Sequence, residues 1–242
     1  MLSIRHALDR FRAEERARAP EHVESVETAL DSLGMFLESY GYQYVAQDDE
    51  EPLDEDDDGY EDDEVPFVEA NPVEVLPEAL TEFLFDWQIR ESDSGPDEAR
   101  TTSEVAGRLM DWLAEERLVR VAEALDAAAM ARRAADEIPR AKRLASLLRP
   151  LAKEAPHEPR SSDDEIVEDF FRIDRVEPGA IWLEQEVGPI EVPEAASDIA
   201  EPGWWVDVVA MRLGGTWHLG EVGNVYPLLA EGSGVDDEGD AA

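Results

Sequence analysis

WWVDVVAMRL at residues 204–213, Gly214 and Gly215, and TWHLGEV at 216–222 are the stretch that decides how this chain folds. The first run is apolar on nearly both faces, which is the pattern of a strand buried on both sides. The two glycines supply the positive φ values that a tight hairpin turn needs, and the second run resumes the alternation. Working upstream, FFRIDRV at 170–176, IWLE at 181–184 and PIEV at 189–192 read as three more short strands, separated by Pro-Gly and Val-Gly turns. A helical connector, EAASDIA, lies between the third strand and the hairpin. Five short strands in so few residues predict a small closed or partly closed β-barrel of OB or SH3-like type, because an open sheet of this size leaves two edges unpaired.

Before this region the apolar period is helical. The first twenty residues predict a short Arg-rich helix ending near Pro20. Val23, Val26, Leu30, Leu33, Phe36, Leu37 and Tyr40, three and four apart, predict a second helix with Gly41 placed to cap its end. Leu76, Leu80, Phe83, Leu84 and Trp87 form another stripe, closed by the polar stretch ESDSGPDEA at 91–99. Thr101 and Glu104 have capping-box spacing and predict the start of a helix carrying Val105, Leu109, Trp112 and Leu113. An Ala-rich helix is expected from Val121 to Asp136. Pro139 is placed to open another, with Leu144, Leu147, Leu148 and Leu151 on one face and Pro150 near its end. The fold class is therefore α+β: a helical bundle over 1–154 with a solvated or disordered acidic insert at 46–66, a linker at 155–164, a small β-barrel domain at 165–228, and a disordered acidic tail at 229–242.

The 242 residues include 21 basic and 60 acidic side chains, a net charge of −39. The densest acidic run, Asp48 to Glu64, holds 13 carboxylates, and the remaining residues still carry −26. A polyanion built for basic partners concentrates its charge; this charge is spread over the whole chain. The 21 basic residues are 19 Arg and only 2 Lys, Lys142 and Lys153. Acidic excess with so little Lys resembles the proteins of salt-in halophiles, halophilic archaea in particular. At molar salt the Debye length shrinks to about 3 Å, which screens the self-repulsion such a charge creates. The absence of Cys excludes disulfide scaffolds, thiolate nucleophiles, iron–sulfur clusters and zinc sites that need sulfur. No apolar run reaches the length of a signal peptide core or a membrane span, so the expectation is a cytoplasmic protein with no membrane partner.

Motifs for chemistry are scarce. Asp54, Asp56, Asp58 and Gly59 match positions one, three, five and six of an EF-hand loop, but the twelfth position, which needs a bidentate Glu, is Val65. His6, His22, His157 and His218 are far apart and show no zinc-binding spacing. There is no nucleophile elbow, P-loop or dinucleotide-binding turn. The sequence assigns no catalytic residue, no metal ligand and no cofactor.

One segment breaks the acidic rule. Residues 130–153 hold Arg132, Arg133, Arg140, Lys142, Arg143, Arg149 and Lys153 against Asp136 and Glu137. Two readings stand: an anion-binding surface for nucleic acid or for the acidic insert, or a helix whose Arg stems cover apolar surface while pairing with neighbouring acids. If about six phosphates were contacted, a tenfold rise in salt would cost on the order of 10⁵ in affinity, so binding in strong salt needs stacking as well. Trp204 and Trp205, with Trp182 and Trp217, are the candidates for stacking; their other reading is the core of the barrel.

The succession ETALDSLGMFLESYGYQ, LTEFLFDWQIRE and TSEVAGRLMDWLAEERLV, within residues 24–121, resembles the SAM-like core-binding domain of tyrosine recombinases. The resemblance implies a four-helix, DNA-associated fold. The family's catalytic domain, with its Arg, His-x-x-Arg and Tyr, does not follow, and an acidic insert interrupts the first connection, so no functional residue is carried over. The expected function is non-catalytic binding by a nucleic-acid-associated accessory protein. The alternative is a protein-interaction or adaptor module that binds no nucleic acid.

Overall fold

The computed structural model describes residues 2–45, 65–92, 94–155 and 164–228. The EF-hand-like positions up to Gly59, nearly all of the acidic insert and the linker, His157 and the acidic tail lie outside the described residues. The chain is mixed: helical in its N-terminal part, with one five-stranded sheet in its C-terminal part. It forms two compact units, Met1–Leu84 with Thr101–Ala135, and Phe85–Arg100 with Asp136–Ala242.

In the first unit, α1 (Ile4–Arg18) starts where the Ser3 hydroxyl accepts the His6 N–H, and it buries Ile4, Ala7, Leu8 and Phe11. Helix α2 (Val23–Tyr40) buries Val26, Leu30, Leu33, Phe36 and Leu37, the stripe read from the sequence. Two carboxylate oxygens of Glu38 accept the N–H groups of Phe67 and Val68 at 2.7 and 3.3 Å, satisfying otherwise orphaned donors at the start of α3 (Phe67–Ala70). Gly41 follows α2 with φ −61°, a right-handed conformation, so it is not the left-handed cap expected. Its lack of a side chain serves packing instead: a Cβ there would stand 2.4 Å from Cε1 of the buried Phe67 ring.

Helix α4 (Leu76–Glu82) continues through a single π turn, Phe83–Trp87, into α5 (Gln88–Arg90). Phe83, Leu84 and Phe85 are consecutive and all buried. Helix α6 (Pro96–Glu115) begins five residues before the expected Thr101. Proline presets φ for a first helical position, and Asp97 and Glu98 in the first turn complement the helix dipole. Thr102 and Ser103 are instead buried within the helix. In the first unit, α6 meets α1 through the Phe11 and Trp112 rings, 5.7 Å apart, and through Arg108 on the buried Glu15 at 2.8 Å.

Helix α7 (Val121–Glu154) is one helix of 34 residues, passing through both Pro139 and Pro150, where the sequence suggested a start and an end. An internal proline costs a helix about 3 kcal/mol through a lost N–H and a carbonyl clash. Burial of Ile138, Ala141, Leu144, Ala145 and Leu148 on either side of these positions offsets that cost. Residues 121–135 belong to the first unit and 136–154 to the second. The units therefore do not divide at the linker: the second half of α7 supplies Leu144, Leu148 and Ala152 to the hydrophobic cluster of the sheet.

The sheet has β1 (Glu165–Glu177), β2 (Ala180–Leu183), β3 (Val187–Glu191), β4 (Trp205–Leu213) and β5 (Thr216–Tyr226), with the short α8 (Glu194–Ser197) between β3 and β4. The strands pair in the order β1-β2-β3-β5-β4, and β4 pairs with β1, so the order returns on itself. Every pairing is antiparallel except β3 with β5, which meet in parallel at Ile190 and Trp217. Gly214 and Gly215 take φ 59° and 87°, the two positive values of a type I′ hairpin turn. Val206, Val208 and Ala210 of β4 face the interior with Phe171, Ile173, Ile181, Leu183 and Ile190. Opposite Val206 and Val208, β5 advances from Val225 to Val222, an extra residue that forms a bulge at Gly223 and Asn224.

Candidate functional site

The basic residues of 130–153 are divided between the two units. Arg132, in the first unit, gives both of its short bonds to Asp111, at 2.9 and 2.8 Å, and Arg133 is exposed with a partner of its own. The others lie in the second unit. Arg140 packs its guanidinium 5.2 Å from the Trp204 ring centre, donates to the Ile199 carbonyl at 3.2 Å, and pairs with Glu201 and Asp136. Burial alone works to lower its pKa, but the two carboxylates outweigh it and the value is raised. This side chain has the covering and pairing role.

Lys142, Arg143 and Arg149 instead line a cavity of about 400 Å³ with Arg90 of α5. Ser92 and Ser94 bound it before α6, Ser146 on α7, and Asn224 on β5. No carboxylate is among its described lining residues. The local structure holds each cation differently. Lys142 donates to the carbonyls of Ser92 and Ser94 at 3.1 and 2.8 Å and to the Ser94 hydroxyl at 3.2 Å, which fixes the segment between α5 and α6 against α7. Arg90 pairs with the buried Asp86 and with Glu91, each at 3.2 Å. Arg149 donates through Nη2 to the Gly223 carbonyl at 2.8 Å and to Asn224 Oδ1 at 3.0 Å, both on the β5 bulge. Arg143 is exposed, and no described residue meets its guanidinium; Ser146 donates its hydroxyl hydrogen to the Arg143 main-chain carbonyl at 2.7 Å. Lys153 is exposed one turn beyond Arg149.

The bulge is itself supported from below. Gly223 is close to Asp207 of β4: a Cβ there would lie 2.0 Å from Asp207 Oδ2. Partial burial and the neighbouring Glu168 raise the Asp207 pKa, while a bond from the Asn224 main chain works to lower it. Tyr226, raised chiefly by burial, receives a 3.4 Å bond from the Asn224 amide. The extra β5 residue thus turns a carbonyl and an amide oxygen toward Arg149.

Two of the four candidate tryptophans, Trp204 and Trp217, are core. Trp204 is buried at 3 % exposure, so it presents no free face for stacking, contrary to its reading as a stacking residue. Trp217 is buried as well, and Arg175 lies 3.8 Å from the ring centre of Trp182. Trp205 is half-buried at the start of β4. Arg90, Ser92, Ser94 and Asn224 escape sequence reasoning because they come from two stretches far from α7 in the sequence and follow no motif; only the departure from acidic charge marked Lys142, Arg143 and Arg149.

A larger cavity in the first unit, about 630 Å³, has Glu14, Glu15, Asp111 and Glu115 against Arg18 and Arg108. Its groups are tied to one another, as in Glu14 accepting from Trp112 Nε1 at 2.9 Å. Among the described residues, no three His, Asp or Glu side chains gather to hold a metal ion, and no helix is long and apolar enough to cross a membrane. The second unit therefore holds a pocket lined by serines and four cationic side chains, built where a helix packs on a small sheet. Compared with protein-family models, curated proteins and solved structures, the chain matches none.

Proposed function

We propose that the protein is a non-catalytic, nucleic-acid-associated accessory protein of a salt-adapted cell, and that its second unit makes the contact. The observation that carries this reading is the pocket of Arg90, Lys142, Arg143 and Arg149, a concentration of cations in a chain of net charge −39. The sheet is taken as a small barrel, and of the two types considered its strand order, its parallel β3–β5 contact and the helix between β3 and β4 favour the OB type, a fold that commonly binds oligonucleotides. The likeness of residues 24–121 to a recombinase core-binding domain points toward DNA as well. The near-absence of Lys, with 19 Arg in its place, supports the salt-adapted setting.

The pocket also eases the salt problem. With about two phosphate contacts instead of six, a tenfold rise in salt costs roughly a hundredfold in affinity. Fluorescence anisotropy with single- and double-stranded probes at low and molar salt tests the reading, and absence of binding at every salt concentration removes it. An adaptor role is the second reading, favoured by Met35 and Tyr42, large apolar side chains of the first unit that are each 59 % exposed. A pull-down in strong salt that recovers one stoichiometric protein partner and no nucleic acid would favour it.

A further inference from the structure

Building on the reading above, we infer that the pocket of the second unit takes a terminal phosphate, the monoester at the end of a nucleic-acid strand or of a nucleotide, in preference to the internal diesters of a strand running past it. Its size is the first argument. A cavity of about 400 Å³ bounded by Ile89, Arg90, Ser92, Ser94 and Pro96, by α7 and by β5 is on the scale of one small ligand, not of an extended chain.

Charge is the second. Among the described residues neither Arg143 nor Arg149 meets a carboxylate, and both bonds that Arg149 makes use Nη2, which leaves Nη1 and Nε to donate. A monoester phosphate carries about −1.5 to −2 near neutral pH and offers three strong acceptor oxygens. An internal diester carries a single charge. Two guanidinium groups match the former in both charge and geometry, since their planar forks suit bidentate bonds to phosphate.

The surroundings are the third. Exposed positions of β1 and of the β2–β3 hairpin include Glu165, Glu168, Asp169, Glu186 and Glu191. A strand laid along that sheet meets like charge, whereas a strand that enters by its end exposes only the end to the site. Short contacts inside a pocket are also less screened than contacts spread along a surface, which suits a solvent with a Debye length of about 3 Å.

The test uses the full chain and labelled single strands of about 12 nucleotides, a length typical of one OB-type site. Three versions carry a 5′-phosphate, a 3′-phosphate or hydroxyls at both ends, and adenosine monophosphate is titrated separately by calorimetry. A terminal phosphate is expected to tighten binding about tenfold, the scale of a charge-assisted pair. Arg143→Gln and Arg149→Gln should each abolish that advantage, so that the phosphate-ended and hydroxyl-ended strands bind the variant within about twofold of one another. Arg149→Gln also loses the tether to Gly223, so Arg143→Gln, whose guanidinium holds no described group, keeps the test independent of folding. Equal affinity for all three strands overturns the inference and leaves the nucleic-acid reading standing. Binding of the nucleotide without any strand supports the terminal-phosphate site and overturns the strand reading; binding of neither overturns both.

Discussion

Gly34 and Gly41 sit seven residues apart at the two ends of one argument, and replacing each by alanine should move stability in opposite directions. Gly34 lies inside α2, where a Cβ would have nothing within 4 Å. Alanine gains about 0.8–1.0 kcal/mol over glycine in a helix interior, and with no clash the whole gain should appear. Gly41 has helical φ, so alanine brings a similar backbone benefit. However, its Cβ would stand 2.4, 2.6 and 2.7 Å from three carbons of the Phe67 ring. That ring is fully buried and also packs at 5.0 Å, edge to face, on Tyr42, so it has no open side to move into. Overpacking of this kind costs about 1–3 kcal/mol, leaving a net loss of roughly 0–2 kcal/mol. Both glycines belong to the first unit, so both report on the same unfolding transition. Equilibrium denaturation in strong salt should raise the midpoint for Gly34→Ala and lower it for Gly41→Ala, with the slope unchanged. A Gly41→Ala protein as stable as Gly34→Ala would refute the claim that this glycine is there for Phe67.

Three further outcomes follow from the second unit. Leu148→Ala should cost about 2–5 kcal/mol, because a fully buried leucine leaves both its transfer energy and a cavity, and an unchanged midpoint would show that α7 does not share the core of the sheet. Arg140→Gln should cost about 1–3 kcal/mol through lost charge-assisted bonds, and should shift Trp emission as Trp204 loses its cover; unchanged emission would contradict the Arg140–Trp204 contact. Asp207 has a folded-state pKa above its usual value, so the folded protein holds that proton more tightly than the unfolded chain. Its contribution is fully present below the ordinary carboxylate range and is lost as pH rises through the raised folded value. Asp207→Asn should therefore flatten the stability profile just above the ordinary carboxylate range, and a profile identical to the original would remove Asp207 as its source.

What the sequence made legible was what local chemistry determines. The Gly214–Gly215 turn could be read because a two-residue hairpin loop with two positive φ values admits few other residues. The α2 stripe could be read because seven apolar residues at helical spacing need a partner face. Tertiary packing decided the rest. Pro139 and Pro150 are local stop signals overridden by the burial of Leu144 and Leu148 on a single helix. Thr101 and Glu104 have the spacing of a cap, but Pro96 with Asp97 and Glu98 starts the helix earlier. The pocket needed a segment ending in Pro96, two turns of α7 and a bulge on β5, and only the cations of α7 stood out in one dimension. Trp204 and Trp205 are neighbours in sequence on opposite sides of a pleat, so one is core and the other half-buried.

The return of the strand order on itself has a consequence for how these molecules behave in a crowd. A free strand edge is a row of unsatisfied donors and acceptors, and it templates the addition of strands from other chains. Dilute solutions suppress such encounters by mutual repulsion, which a charge of −39 would supply generously. Strong salt removes that protection, since repulsion then fades within a few ångströms, and with it the usual means of keeping like molecules apart. Here β1 closes on β4, so each described strand has a neighbour on both sides. Solubility at high concentration should then depend less on charge repulsion, because among the described strands a second molecule finds only short unpaired edges to extend, such as that of β3, which meets β5 at Ile190 alone.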